Sequence, residues 1–399
     1  MLKAPINSTF QESLDRCLDG KNISKEQAYE IMNSDNCDGI VIDTAKKIRN
    51  RRKGLVVTYS RKVFINLVNL CRDTCSYCTY KKEPFDKLAS MMLPEHVLSL
   101  AYNGKRNRCT EALFVTGERP EQRYSEAKQW LRSIGYSSTI EYITQISEKV
   151  LQRTGLLPHT NAGSLTKKEI STLKDTNVSI GAMLESSSER LVSTGMPHEN
   201  APSKNPKVRL RTLQNTGELK IPTTTGLLVG IGETPKEIVD SLFLIKEIHQ
   251  KYGHIQEVIM QNFNPKPNTN MANSIPPSHS YFLKAVAMAR IIMPEMNIQV
   301  PPNLTPNIFG SYIDAGINDW GGISPITIDH VNPEFSWPSI QSVNCTTISK
   351  SHELRARLPV YPEFLDKKAG FISAKLRNYI ELLSDPTTGL VKEDYIKCS

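Results

Sequence analysis

VFINLVNL (63–70) runs straight into CRDTCSYCTY (71–80), and the fold is decided at this junction. The first segment is a mostly apolar, partly β-branched run of strand length. The second places Cys71, Cys75 and Cys78 at C-x3-C-x2-C spacing on the loop that leaves the strand. Three thiolates on one loop can hold three irons of a [4Fe–4S] cube and leave the fourth iron open. A structural zinc site is the alternative, but it would want a fourth Cys or His nearby, and the nearest histidine, His96, falls in a helical pattern. A simple iron–sulfur electron carrier would close its cluster with a fourth cysteine, which the loop lacks.

Outward from this junction, short apolar runs alternate with amphipathic stretches. Further strands are expected at 111–117, 156–161, 178–184, 221–230, 257–263, 297–304 and 323–328. Helices are expected at EHVLSLAYNG, TIEYITQISEKVLQRTG, LTKKEISTLKD, PKEIVDSLFLIKEIHQKYG and SYFLKAVAMARIIM. Alternating strands and helices imply a parallel sheet with right-handed crossovers, and eight such units fit a (β/α) TIM-like barrel. An open doubly wound sheet is the alternative, weakened because no GxGxxG turn follows the early strand. Residues 1–55 read as a polar helical extension, with Ser24 and Gln27 forming a capping-box pattern. Residues 56–338 read as the barrel and 339–399 as a C-terminal extension without a clear strand, capping the barrel. The N-terminal extension is expected either to seal the bottom of the barrel or to meet a partner.

The 399 residues, 39% hydrophobic and 23% charged, allow a sizeable core. No apolar run approaches the roughly 18 residues that span a bilayer, and the charged N-terminus does not read as an export signal. A cytoplasmic protein without membrane contact is expected. Much of the +8 formal charge could come from Lys46, Lys47, Arg49, Arg51, Arg52 and Lys53. No stacking aromatics accompany that run, so a solvated helix face is favoured over nucleic-acid binding. Cys17, Cys37, Cys109, Cys345 and Cys398 are scattered and read as thiols outside the chemistry.

The cysteine spacing, the aromatic Tyr77 before the last cysteine and the position after a first strand resemble the signature of the radical S-adenosylmethionine (SAM) superfamily. The resemblance implies that the open iron chelates the amino and carboxylate groups of SAM. It also implies that a one-electron donor such as flavodoxin or ferredoxin reduces the cluster, and that a 5′-deoxyadenosyl radical then abstracts hydrogen from substrate. Thr116-Gly117-Glu118 resembles the family's GGE motif, which holds the methionyl amino group. By the same layout, Glu185 would bond the ribose hydroxyls, Arg209 would pair with the SAM carboxylate, and GLLVGIGET (226–234) would be a GxIxGxxE-like element ending in Glu233.

A narrower likeness follows. NLCRDTCSYCTY, EALFVTGERPEQRY, TGLLPHTNAGSLT, IPTTTGLLVGIGET, HIQEVIMQNFNPKPNTNM and DWGGISPITIDHVNPE resemble, in order, the FO synthase family, on the side of its CofG-type subunit. This family makes the deazaflavin FO, the chromophore of coenzyme F420. The likeness implies a lyase. A CofH-type partner subunit joins a tyrosine-derived 4-hydroxybenzyl group to 5-amino-6-ribitylaminouracil, and this enzyme closes the ring of that adduct with loss of ammonia. A chain of this length with one CxxxCxxC is expected to be a separate subunit. Another radical SAM enzyme, such as the CofH-type, an aminofutalosine-type or a biotin-synthase-like sulfur inserter, stays as the alternative. Polar residues at the strand ends, namely Asn161, Gln261, Asn262, Lys266, Asn303 and Asp329, are candidates for substrate contact. The general base is sought among His159, His254 and His330, whose ordinary pKa suits neutral pH.

Overall fold

The apolar run before the cysteines is the second half of a longer strand, β1 (Val56–Val68), most of which is buried. The structure, a computed structural model, describes residues 8–34 and 38–397. Cys37, Cys398 and the first seven residues, where no export signal was read, lie outside the described residues. The further strands are β2 (Glu111–Thr116), β3 (Leu157–Asn161), β4 (Ser179–Gly181), β5 (Thr223–Val229), β6 (Ile255–Asn262), β7 (Ile298–Gln299), β8 (Asp319–Ile323) and β9 (Glu353–Arg357). All pairings between named strands are parallel. β2 to β8 follow in sequence order, and β1 lies between β8 and β2, which closes an eight-stranded barrel.

The helices are α1 (Ser8–Leu18), α2 (Lys25–Asn33), α3 (Asp38–Lys53), α4 (Pro94–Arg106), α5 (Ser125–Ser133), α6 (Thr139–Thr154), α7 (Lys167–Leu173), α8 (Pro206–Glu218), α9 (Pro235–Tyr252) and α10 (His279–Ile292), with further ones of ten residues or fewer after them. Their starts follow local chemistry. Ser24 and Gln27 close a capping box on α2, as do Thr166 with Glu169 on α7 and Thr234 with Glu237 on α9, each satisfying otherwise orphaned N–H groups. α2 lies against α9, and α3 against α10, so the N-terminal segment shares one core with the barrel. The basic run lies on α3 and is consumed locally. Arg49 is fully buried and donates to the carbonyls of Ile317, Gly54 and Val56, while Lys46, Lys47, Arg52 and Lys53 pair with Asp314, Asp43, Glu295 and Glu363. No helix among the described residues is long and apolar enough to cross a membrane.

Two expectations about strands are corrected. The eighth strand is DWGGI, not 323–328, because Pro325 has no N–H for a ladder and the two glycines make room for inward neighbours. The C-terminal extension does hold a strand. β9 pairs with β1 from Val56↔Glu353 to Ser60↔Arg357. Behind it, residues 357–361 run under the barrel: Ser179 and Gln256 donate to the Pro359 carbonyl (2.6 and 3.1 Å), and Tyr361 donates to Glu257 (2.8 Å).

Candidate active site

The cysteine loop is clamped by backbone hydrogen bonds. Arg72 N–H bonds the Glu118 carbonyl (2.7 Å), Thr74 N–H the Asn200 carbonyl (2.7 Å) and Ser76 N–H the Pro197 carbonyl (2.9 Å). Glu118 N–H donates to Cys71 Sγ (3.2 Å), a bond that favours the thiolate. Burial nevertheless pushes Cys71 up to about 11 and Cys75 higher still, so binding iron must displace protons from them. Cys17 and Cys109 are buried and Cys345 exposed, all away from this loop.

Gly117 is where the first two strands touch. A Cβ there would fall 2.0 Å from the Leu70 carbonyl oxygen and 2.8 Å from Cys71 Cβ, so only glycine fits beside the loop. The Glu118 carboxylate turns away to Ser164, whose N–H and hydroxyl it accepts (2.9 and 2.5 Å), with Arg119 at 3.6 Å and Arg209 at 3.8 Å. Arg209 Nε and Asp73 Oδ1 are buried without a hydrogen-bond partner. Glu185 has φ 63°, a strained value for a non-glycine, and is held there by hydrogen bonds to Gly226 and Leu228 (2.9 and 3.1 Å). Burial would raise its carboxyl, but the ion pair with Lys204 brings it below the usual range. Tyr77 bonds His198 Nε2 (2.9 Å). Glu233 accepts the N–H groups of Gly230 and Ile231 (2.6 and 2.9 Å) and so shapes its own loop.

Cys71, Asp73, Cys75, Tyr77, Cys78, Glu118, Glu185, Lys204 and Arg209 open into one cavity of about 350 Å³ in the barrel lumen. Inward positions alternate along each strand, as the pleat requires: Lys62 and Phe64 on β1, Glu111, Leu113 and Val115 on β2, His159 and Asn161 on β3, Glu257, Ile259 and Gln261 on β6. Asn161, Gln261, Asn262, Lys266 and Asp329 line it; Asn303 does not. Asn303 stands behind, donating to Asp329 (3.0 Å), whose other oxygen accepts the N–H groups of Val331 and Asn332 (3.0 and 3.1 Å). Lys266 donates to the Val331 carbonyl (2.6 Å) and ties the loops after β6 and β8 together.

Two of the three histidines drop out. His254 precedes β6, at the opposite end of the barrel from the cysteines, fully buried with its ring edge-on to Tyr252. His330 does not reach the cavity. Its ring lies 5.3 Å from that of Phe64, which does. His159 lines the cavity. The hydroxyl proton of Ser179 goes to the Pro359 carbonyl, so Ser179 accepts from His159 Nδ1 (2.6 Å) and the Nε2 lone pair is left free. Burial lowers His159 to about 4, which makes it a hydrogen-bond acceptor and a weak base at neutral pH.

A radical SAM superfamily model matches residues 65–245. Over 330 residues the chain is 45% identical to the 7,8-didemethyl-8-hydroxy-5-deazariboflavin synthase of Methanopyrus kandleri, covering 83% of this chain and 98% of that protein. With the protein of the same name from Methanocaldococcus jannaschii it shares 44% over 358 residues, 90% and 98% of the two chains. The chain belongs to the radical SAM FO synthase family. It is an enzyme, and the superfamily in general implies a [4Fe–4S] cluster and SAM. The FO synthase of Streptomyces coelicolor is 41% identical over 98% of this chain, which spans 47% of that protein. Among solved structures, the FeFe-hydrogenase maturase HydG of Carboxydothermus hydrogenoformans superposes with a TM-score of 0.74 at 18% identity, covering 94% of this chain and 90% of that one. Methylornithine synthase superposes with a TM-score of 0.66 at 15% identity, covering 86% of this chain and 96% of that one. At such identities the likeness concerns the fold.

The residues of this FO synthase family member fit the implied cofactors. Cys71, Cys75 and Cys78 line one cavity with Arg209 and Asp73, whose buried Nε and Oδ1 have no hydrogen-bond partner. Among the described residues no three His, Cys, Asp or Glu side chains converge on a single ion, and a cube would take its thiolates on separate irons. Sequence reasoning missed Asp73, Lys204 and the inward residues of the lower barrel, among them Lys62, Glu111, Gln299 and Arg357. For Lys62, Glu111, Gln299 and Arg357 the only signal was a polar residue at an inward position of a strand, which is unreadable until the register is known.

Proposed function

We propose that this chain is the ring-closing FO synthase component. It would convert the 4-hydroxybenzyl adduct of 5-amino-6-ribitylaminouracil into FO with loss of ammonia, downstream of a CofH-type partner and supplied with electrons by a flavodoxin or ferredoxin. What carries the reading is the 44–45% identity to two archaeal proteins bearing the FO-forming name, over 98% of each. A cavity that joins the cysteine loop to polar inward side chains supports it.

Cys71, Cys75 and Cys78 would hold the cluster, Arg209 and the Gly117 backbone the amino-acid end of SAM, and Glu185 its ribose. When bound, the cluster and SAM supply one-electron cleavage and a carbon-centred radical for hydrogen abstraction. The chain's own part is orientation and exclusion of water. Lys204 keeps Glu185 ionised and therefore an acceptor. Phe64, Leu113 and Val115 form an apolar belt suited to flat rings. His159, Asn161, Gln261, Asn262 and Lys266 present polar atoms to the substrate.

The test is anaerobic turnover of reconstituted protein with SAM, reductant and the adduct. The expected products are 5′-deoxyadenosine and a fluorescent deazaflavin. Deoxyadenosine without deazaflavin would assign a different radical reaction. Adduct formation from tyrosine and 5-amino-6-ribitylaminouracil would make the chain CofH-type. No SAM cleavage by cluster-loaded protein would overturn the superfamily chemistry as well.

A further inference from the structure

The lower end of the cavity carries polar groups, and all but His159 are left unused by the site described above. Lys62 on β1, Glu111 on β2, His159 on β3 and Gln299 on β7 all line it, and each is at least nine-tenths buried. Lys62 makes no hydrogen bond or ion pair with any described residue; its ammonium lies 4.6 Å from the Trp337 ring centroid and 5.3 Å from that of Phe64. The Gln299 amide is likewise unpartnered. Glu111 accepts from Ser60 through one carboxylate oxygen and leaves the other open, and His159 leaves Nε2 open. An unpaired buried polar group is costly, so two side chains without a partner beside two that each keep one atom open mark a place where a ligand completes the bonds. β8 is built around two of them: a Cβ on Gly322 would strike Lys62 Cδ at 2.3 Å, and one on Gly321 would strike Gln299 Nε2 at 2.0 Å.

Composition and position choose the ligand. Lys62 donates, Glu111 and His159 accept, and Gln299 does both. The neighbouring Arg357, Glu257 and Asp319 are already paired with one another. Carboxylates outnumber cations here, so a phosphate or carboxylate tail is disfavoured; a neutral chain of vicinal hydroxyls, each both donor and acceptor, matches. The groups also lie far from the cysteines, since Lys62 is six residues, about 20 Å of strand, below Val68. Between them runs the apolar belt of Phe64, Leu113 and Val115.

We propose that Lys62, Glu111, His159 and Gln299 form a polyol subsite on the barrel floor, holding a polyhydroxylated tail while the flat part of the substrate lies in the belt above. The identification of that tail as the ribityl chain of the adduct rests on the function proposed above. Binding to cluster-loaded protein is read by fluorescence, with FO and its N-methyl analogue, which lacks the chain, as probes. Wild type should prefer FO by on the order of 100-fold, because a site built to bond hydroxyls rejects a ligand without them. Lys62→Met and Gln299→Leu should reduce that preference to a few-fold at unchanged iron content. Equal binding of the two probes by wild type overturns the subsite, as does an undiminished preference in both variants. A preference for FO with no conversion of the adduct would leave the subsite standing and remove the proposed reaction.

Discussion

At the residue scale, the site depends on atoms packed within van der Waals limits. Gly117→Ala would drive a methyl into the Leu70 carbonyl and shift the cysteine loop. SAM cleavage should fall by about 100-fold or more, because displacements of 1 Å cost that much in an oriented site; retained cleavage would contradict the packing. Cys75→Ala should lose the [4Fe–4S] absorbance and all cleavage. His254 gives a pH prediction instead. Burial holds it at about 4 in the folded protein, below its ordinary 6.5. The unfolded chain therefore binds the proton first, and stability is lost as pH falls from 6.5 towards 4, with no effect above that window. His254→Leu should remove this loss, about 3 kcal/mol at 1.36 kcal/mol per pKa unit, without changing deazaflavin formation. Melting temperatures of both proteins at pH 7 and pH 5 measure it; parallel falls would refute it.

At the element scale, β9 does what its sequence, Glu353-Leu-Arg-Ala-Arg357, does not advertise. Arg357 at its end donates to Asp319 (2.6 and 2.9 Å) and to Glu257 (2.9 Å), all three deeply buried. Burial alone would lower the guanidinium pKa, but the two carboxylates carry it well above its usual value. Burial raises Glu257, against the pull of Arg357. Removing one partner of such a set strands the others. Arg357→Met should cost about 3–5 kcal/mol, read as a lowered denaturation midpoint; an unchanged midpoint would show that the network is dispensable. β9 was unreadable because its pattern is charged and its partner strand lies some 300 residues earlier in the chain. The starts of α2, α7 and α9 are local by contrast, because Ser24, Thr166 and Thr234 act within one turn of themselves.

At the scale of the whole molecule, the N-terminal helices belong to the same core as the barrel. Ala28, Ile31, Val41 and Ala45 are completely buried, in one cluster with residues of α9 and α10. A chain lacking residues 1–53 would expose those helix faces, and should give little soluble, iron-loadable protein; wild-type yield and iron content would argue against this. The cysteine spacing, the alternation of strands with helices and the phrases shared with the FO synthase family were complete in the sequence, because each is a local pattern. They placed Cys71, Cys75, Cys78, Gly117 and Asn161 at the mouth of a barrel. Which histidine faces the lumen, where Asn303 stands, how Glu118 is spent and what the barrel floor contains were decided only by tertiary structure. An inward or outward direction changes with every residue of strand register, and the partners that fix that register, such as Asp319 for Arg357, are distant in the chain.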